Sequence, residues 1–127
     1  MKVLLDTHAF LWAIGDVSRL STAARQILTD EDNELLLSAA SLWEIGLKIR
    51  AGKLKLPETG EYFTRHLSAL GARALAVEVS HVLGVFALPD HHRDPFDRLL
   101  VAQCLAEGAT LLSVDSALKK YSIEVVW

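Results

Sequence analysis

Cysteine is almost absent from this 127-residue chain: Cys104 stands alone. A single cysteine excludes an internal disulfide and fits a reducing cytoplasm. Its setting, "LLVAQCLAEG", reads as a buried helix, where a thiol packs as a small apolar group. Long hydrophobic runs are missing as well, and none approaches the roughly 20 residues that span a bilayer. The apolar start is too short to read as a secretory signal and is interrupted by Asp6. Positive charge is not in excess, because 13 Lys and Arg face 16 Asp and Glu, for a net charge of -3. That balance argues against a simple electrostatic sponge for RNA or DNA. It leaves room for an enzyme whose acids gather in one cleft while its cations lie elsewhere. Repeats, low-complexity stretches and interdomain linkers are also lacking, so residues 1–127 are expected to form one domain.

Apolar residues are plentiful, at 51% of the sequence, enough for a substantial core. Short apolar runs alternate with helical patterns, which is the mark of an α/β domain with a parallel sheet. The strand candidates are "KVLLD" (2–6), "ELLLS" (34–38), "ARALAV" (72–77), "TLLSVD" (110–115) and "IEVVW" (123–127). All are continuously apolar, as strands covered on both faces should be. Helices are expected over about 7–14, 21–31, 39–51, 59–70, 80–87 and 95–107. Ser21 or Thr22 offers an N-cap, and Gly52 and Gly108 offer helix stops. The most loop-like stretch is "ALPDHHRDPFD", where Pro89 and Pro95 bracket a charged, histidine-rich segment.

Several acids fall at informative places. Asp6 ends the first strand and Asp115 the fourth, and in open parallel sheets ligands bind beyond the carboxyl ends of strands. Each can equally cap the turn that follows it. Glu44 shares a narrow polar stripe with Ser41 and Lys48 on a helix whose other positions are mostly apolar. A Glu44–Lys48 pair would explain a surface stripe, but not why the rest of the helix is apolar; a largely buried helix with its stripe facing a cavity explains both. In "RDPFDRLLVAQ", Pro95 suits the first helical position, which makes Asp94 the N-cap and leaves Asp97 inside the first turn. Arg98 reads as a surface pairing partner. Carboxylates converging to about 4 Å repel by about 4 kcal/mol at an effective dielectric near 20. They therefore call for protons or a bridging cation. Hard oxygen donors without cysteine favour Mg²⁺ or Mn²⁺ over zinc.

The segments "LLDTHAFLW", "SAASLWEIGLKIRAGKLKLP", "HRDPFDRLLVAQ" and "LLSVD", in this order, resemble the PIN domain, specifically the VapC-type toxins of VapBC toxin–antitoxin modules. The resemblance runs from about residue 2 to the C-terminus. It implies a three-layer PIN-like fold with a central, mainly parallel five-stranded sheet of order 3-2-1-4-5 flanked by helices. It also implies a Mg²⁺-dependent endoribonuclease, with Mn²⁺ as the alternative ion. Asp6 and Asp97 would hold the metal, and Glu44 and Asp115 would bind it directly or through water. Asp94 is an additional acid in the same motif. Thr7, Ser41 and Ser113 would be supporting hydroxyls, each equally explained by capping or core hydrogen bonding. The "KIRAGKLK" cations Lys48, Arg50, Lys53 and Lys55 would form a track for the RNA backbone, or simply a solvated helix end. The resemblance gives His8, His91 and His92 no fixed role. Partners implied are a separate VapB-type antitoxin laid into a groove, operator DNA reached through that antitoxin, and a second copy of the chain. Trp12, Tyr62 and Phe63 belong either to the core or to the antitoxin groove. The rival readings are a PIN-like module that binds RNA or protein without cleaving it, and a metal-dependent phosphatase. The second is weakened by His8, which stands where a haloacid-dehalogenase-type site would need another aspartate.

Overall fold

Five short apolar segments pair in parallel to make the sheet at the centre of the computed structural model, which describes residues 1–127. In chain order the elements are β1 (Lys2–Leu5), α1 (Thr7–Ile14), α2 (Thr22–Thr29), β2 (Glu34–Ser38), α3 (Ala39–Arg50) and α4 (Gly60–Leu70). They continue with β3 (Ala72–Leu75), α5 (Val79–Phe86), α6 (Pro95–Glu107), β4 (Thr110–Leu112) and β5 (Val125–Val126). Two 3₁₀ turns, Val17–Arg19 and Ser116–Lys120, complete the chain. The strand order is β3-β2-β1-β4-β5, all parallel, as the resemblance implied.

Continuous apolarity in the strands is explained by the two faces of the sheet. Successive strand residues point to opposite sides. Val3, Leu5, Leu35, Leu37 and Leu112 enter one core with Ala9, Phe10, Ala24, Ile45 and Leu67 from α1 to α4. Leu4, Leu36 and Leu111 enter the other with Leu100, Val101 and Cys104 of α6. Each fully buried leucine contributes roughly 1.5–3 kcal/mol by leaving water.

Three strands are shorter than their apolar runs. β3 stops at Leu75, whose register partner is Ser38. Beyond that point β2 has turned into α3, so Ala76 and Val77 have no strand to pair with. β4 stops at Leu112 because the next residues turn: the Asp115 N–H is taken by the Ser113 hydroxyl at 3.1 Å, and the chain enters a 3₁₀ turn. β5 lies at the edge and is held only by β4, leaving two paired residues. The second helix is likewise shorter, running Thr22–Thr29 with Ser21 as its cap.

The expectation that α3 is largely buried is corrected. Ala40, Ser41 and Ile45 are buried, but Trp43 and Leu47 are 65% and 46% exposed. α3 packs against α1, α6 and β2 with one side and leaves an apolar flank outside. Trp43 lies edge-on to Phe96 of α6 at 5.5 Å. α3 thus lies against both α1, which follows β1, and α6, which precedes β4. Cys104 is buried as expected, and burial pushes its thiol up to about 12. No helix is long and apolar enough to cross a membrane.

Candidate metal centre

β1 delivers Asp6 to the exit of the sheet, where its N–H still donates to the Leu112 carbonyl at 3.0 Å. The side chain then serves as the N-cap of α1, accepting from the Ala9 N–H at 2.7 Å. Capping and a place at the strand exit therefore coexist. Asp6 is nearly buried, and burial raises its pKa above the ordinary carboxylate value. The neighbouring Ser113 hydroxyl, the Ala9 N–H and the charge of His8 counteract the rise, while Glu44 adds to it.

Glu44 is held from two sides. Its Oε1 accepts from the Thr7 hydroxyl at 2.5 Å, and its Oε2 lies 3.3 Å from Lys48 Nζ. The i,i+4 pair exists, yet the same carboxylate reaches across to α1, so the polar stripe of α3 faces the crevice. Ser41, one turn earlier, is buried with its hydroxyl unpartnered.

The first turn of α6 supplies Asp97. Asp94 caps it, accepting from Phe96 and Asp97 N–H groups at 2.8 and 3.1 Å, with Pro95 at the first helical position. Capping accounts for Asp94, as the sequence suggested. Nothing of that kind occupies Asp97, whose pKa is pushed up to about 7. Burial is the main cause; Asp94, Asp6 and Glu44 raise it further, and His92 opposes them. Asp97 thus feels three other acids, brought from β1, α3 and the α6 cap.

Asp115 sits three residues beyond β4. One oxygen caps the 3₁₀ turn through the Ala117 N–H at 3.0 Å, and the other meets His92 Nε2 at 2.8 Å. His92 is a residue to which the sequence reading gave no fixed role. Its Nδ1 accepts the Asp94 N–H at 3.1 Å, so in the neutral ring the proton lies on Nε2. That proton points at Asp115 Oδ2, with Asp97 Oδ2 at 3.7 Å. His92, Asp97 and Asp115 offer atoms within 4.8 Å of one another; with Nε2 as donor, the neutral His92 ring holds Asp115, while Asp97 lies beyond hydrogen-bond distance. The signal for it lay in the "DHHRDPFD" loop, although the sequence did not say which of the two histidines turns inward. His91 instead packs edge-on to Tyr121 at 5.1 Å, and His8 is exposed.

The remaining expected residues divide clearly. Thr7 and Ser113 are buried beside Glu44 and Asp6. Arg50 is exposed and paired with Glu58 at 3.3 Å, whereas Lys53 and Lys55 are exposed without such a pair. Trp12, Tyr62 and Phe63 are half-buried, which places them at the margin of the core. Arg98 does more than pair at the surface: it donates to the Pro89 carbonyl at 3.0 Å, the Tyr121 hydroxyl at 3.1 Å and the Val85 carbonyl at 3.3 Å. It ties the loop bearing His92 to α5 and the second 3₁₀ turn.

A hard divalent cation suits this donor set. The acids are all oxygen donors, no lysine or arginine pairs with Asp6 or Asp97, and burial pushes both towards their protonated forms, with Glu44 adding to the rise at each and Asp94 and Asp6 adding to it at Asp97. A cation at their meeting point removes that penalty.

The PIN domain family matches residues 3–124. The ribonuclease VapC22 of Mycobacterium tuberculosis is 30% identical over 120 residues, covering 94% of this chain and 91% of that protein. Among solved structures, VapBC2 from Rickettsia felis bound to a promoter DNA fragment aligns with a TM-score of 0.72 at 16% identity, covering 99% and 98% of the two chains. DNA-bound VapBC from Salmonella typhimurium aligns with a TM-score of 0.68 at 12% identity, covering 99% and 97%. The structural likenesses speak to the fold, and the VapC22 likeness extends to sequence.

Proposed function

The chain belongs to the PIN-domain family, and from that premise we propose that it is a metal-dependent endoribonuclease, the toxin of a VapBC-type pair. The observation that carries the reading is the gathering of acids at the exit of β1 and β4: Asp6 beside the Leu112 carbonyl, Glu44 reaching across to Thr7, and Asp97 within 4.8 Å of the His92–Asp115 pair. Residues 1–127 act as one PIN domain in the cytoplasm, cleaving RNA.

When bound, Mg²⁺ or Mn²⁺ supplies an activated water and charge neutralisation for in-line attack on a phosphodiester. Asp6, buried at the exit of β1, and Asp97, partly exposed in the first turn of α6, would hold the ion. Thr7 fixes Glu44, and His92 with the Ala117 N–H fixes Asp115, so that neither carboxylate must reorganise as charge develops. No side-chain nucleophile is required. A VapB-type antitoxin is the partner, and operator DNA is met through it; the Rickettsia and Salmonella VapBC complexes are themselves bound to DNA.

Incubation of mixed RNA with the purified protein tests the reading. Cleavage leaving free 3′-hydroxyls is expected in Mg²⁺, absent in EDTA and reduced at least a hundredfold by Asp97→Asn. Equal cleavage by Asp97→Asn and the wild type contradicts it, as does binding without cleavage.

A further inference from the structure

Beside the acidic centre lies a cavity of about 490 Å³ that the proposed chemistry does not use. Its wall carries His8 and Trp12 of α1, Arg19 of the first 3₁₀ turn, Lys48 at the end of α3, and Lys53 just beyond. Its volume falls within the roughly 300–1,000 Å³ typical of small-ligand sites.

We propose that this cavity is a nucleotide subsite, which holds one unstacked nucleotide of the RNA strand next to the bond being cut. The proposal rests on the ribonuclease reading and adds a place and a chemistry for the flanking nucleotide. Three observations carry it. First, the cavity shares a wall with the acidic centre: Lys48 lines it and also pairs with Glu44 at 3.3 Å, while His8 is close enough for its charge to act on Asp6. A strand whose phosphate lies at the acids can enter it with no intervening helix.

Second, its charge is opposite in sign to that of the whole chain. Arg19, Lys48 and Lys53 face one acid, Asp16, which is already engaged by the Ser18 hydroxyl. Third, aromatic and guanidinium groups stand among the cations. The His8 and Trp12 rings are 5.6 Å apart, and the Arg19 guanidinium lies 4.9 Å from the Trp12 ring centroid. These ring faces, tilted by 40° to one another and set among cations, suit a base and its phosphate, and single-stranded RNA is recognised in this way. The exposed His8 ring offers the open face for the base. Lys53 and Arg19 reach the phosphate. The track expected from "KIRAGKLK" is thereby redrawn: Lys48 and Lys53 belong to the subsite, whereas Arg50, tied to Glu58, and Lys55 lie outside its lining.

The test is anisotropy binding of a short fluorescent single-stranded RNA to the full chain carrying Asp97→Asn, over a salt series. Arg19→Ala with Lys53→Ala is expected to weaken binding at least tenfold and to reduce the salt slope by about 0.7 for each phosphate left without its cation. His8→Ala is expected to weaken binding at least fivefold with the slope unchanged, since it removes stacking. Lys2→Ala with Arg73→Ala, the same loss of charge near the amino ends of β1 and β3 and away from the sheet exit, serves as control and leaves binding unaltered. In the active protein, the cavity variants raise KM and spare kcat.

Unaltered affinity and slope in the cavity variants overturn the subsite while Asp97-dependent cleavage leaves the ribonuclease reading standing. An equal loss in the Lys2 and Arg73 control also overturns it, by reducing the effect to net charge. Loss of antitoxin binding in the cavity variants with RNA binding intact assigns the cavity to the protein partner and overturns it too. Failure of the wild type to bind or cleave any RNA removes both proposals together.

Discussion

Asp97 is the residue on which burial and charge act most strongly, and its protonation gives the centre a pH dependence of known sign. Its folded-state pKa of about 7 lies above the ordinary value of 3.8. The folded chain therefore holds more protons than the unfolded one between those values, and stability falls as pH rises through that window. Asp6, also raised, acts in the same direction. In EDTA the melting temperature is expected to fall from pH 5 to pH 7.5 by more in the wild type than in Asp97→Asn. Adding Mn²⁺ should restore the wild type at pH 7.5 and do little at pH 5. Identical pH profiles for the two proteins would contradict the assignment. At this scale the sequence was partly legible. Asp6, Glu44 and Asp97 stood out because strand ends and helix phases can be counted along a chain. His92 did not, because its role depends on a loop that Arg98 fastens through two carbonyls and a tyrosine hydroxyl, and no periodicity encodes that.

Among the elements, α5 is the one that its own fold leaves incomplete. Val79, Val82, Leu83 and Phe86 follow the i, i+3, i+4, i+7 spacing of one helix face, and all four are exposed, Phe86 to 79%. Its opposite face is anchored by buried His81, which accepts the Glu78 N–H at 3.0 Å and meets Gln103 of α6. The second copy of the chain that the resemblance implied is tested on this stripe. The wild type is expected to run as a dimer in light scattering at micromolar concentration, and Phe86→Glu as a folded monomer with an unchanged circular dichroism spectrum. A wild-type monomer, or a dimer that survives Phe86→Glu, would contradict that use of α5. Helix ends were legible in the sequence: α6 begins after Asp94 and ends before Gly108, where its caps placed it, and α1 begins after Asp6. Strand lengths were less so, because an apolar run continues after its partner strand has turned away, as at Ala76. The exposed flank of α3 was hidden for a related reason, since a helix wheel records apolarity but not which side has a neighbour.

For the molecule as a whole, burial of both faces of one parallel sheet is what fixes the sheet exit at which Asp6 is buried and Asp97 partly so. The strand order puts β1 and β4 side by side, and so brings Asp6 to the same edge as Ser113 and the turn bearing Asp115. That order could be named from the resemblance but not from the apolar runs alone, which fix how many strands there are and not which ones pair. Charge separates at the same scale: acids gather at the sheet exit, and cations line the neighbouring cavity, although the net charge is only -3. The proposed centre draws its side chains from four parts of the chain. The most direct measurement is Mn²⁺ binding followed by electron paramagnetic resonance at pH 7.5, on the wild type and on Asp6→Asn, Glu44→Gln and Asp97→Asn. A protein-bound Mn²⁺ signal is expected in the wild type, with affinity at least tenfold weaker in Asp6→Asn and Asp97→Asn and a smaller loss in Glu44→Gln. Undiminished binding in Asp6→Asn and Asp97→Asn would contradict a shared metal centre.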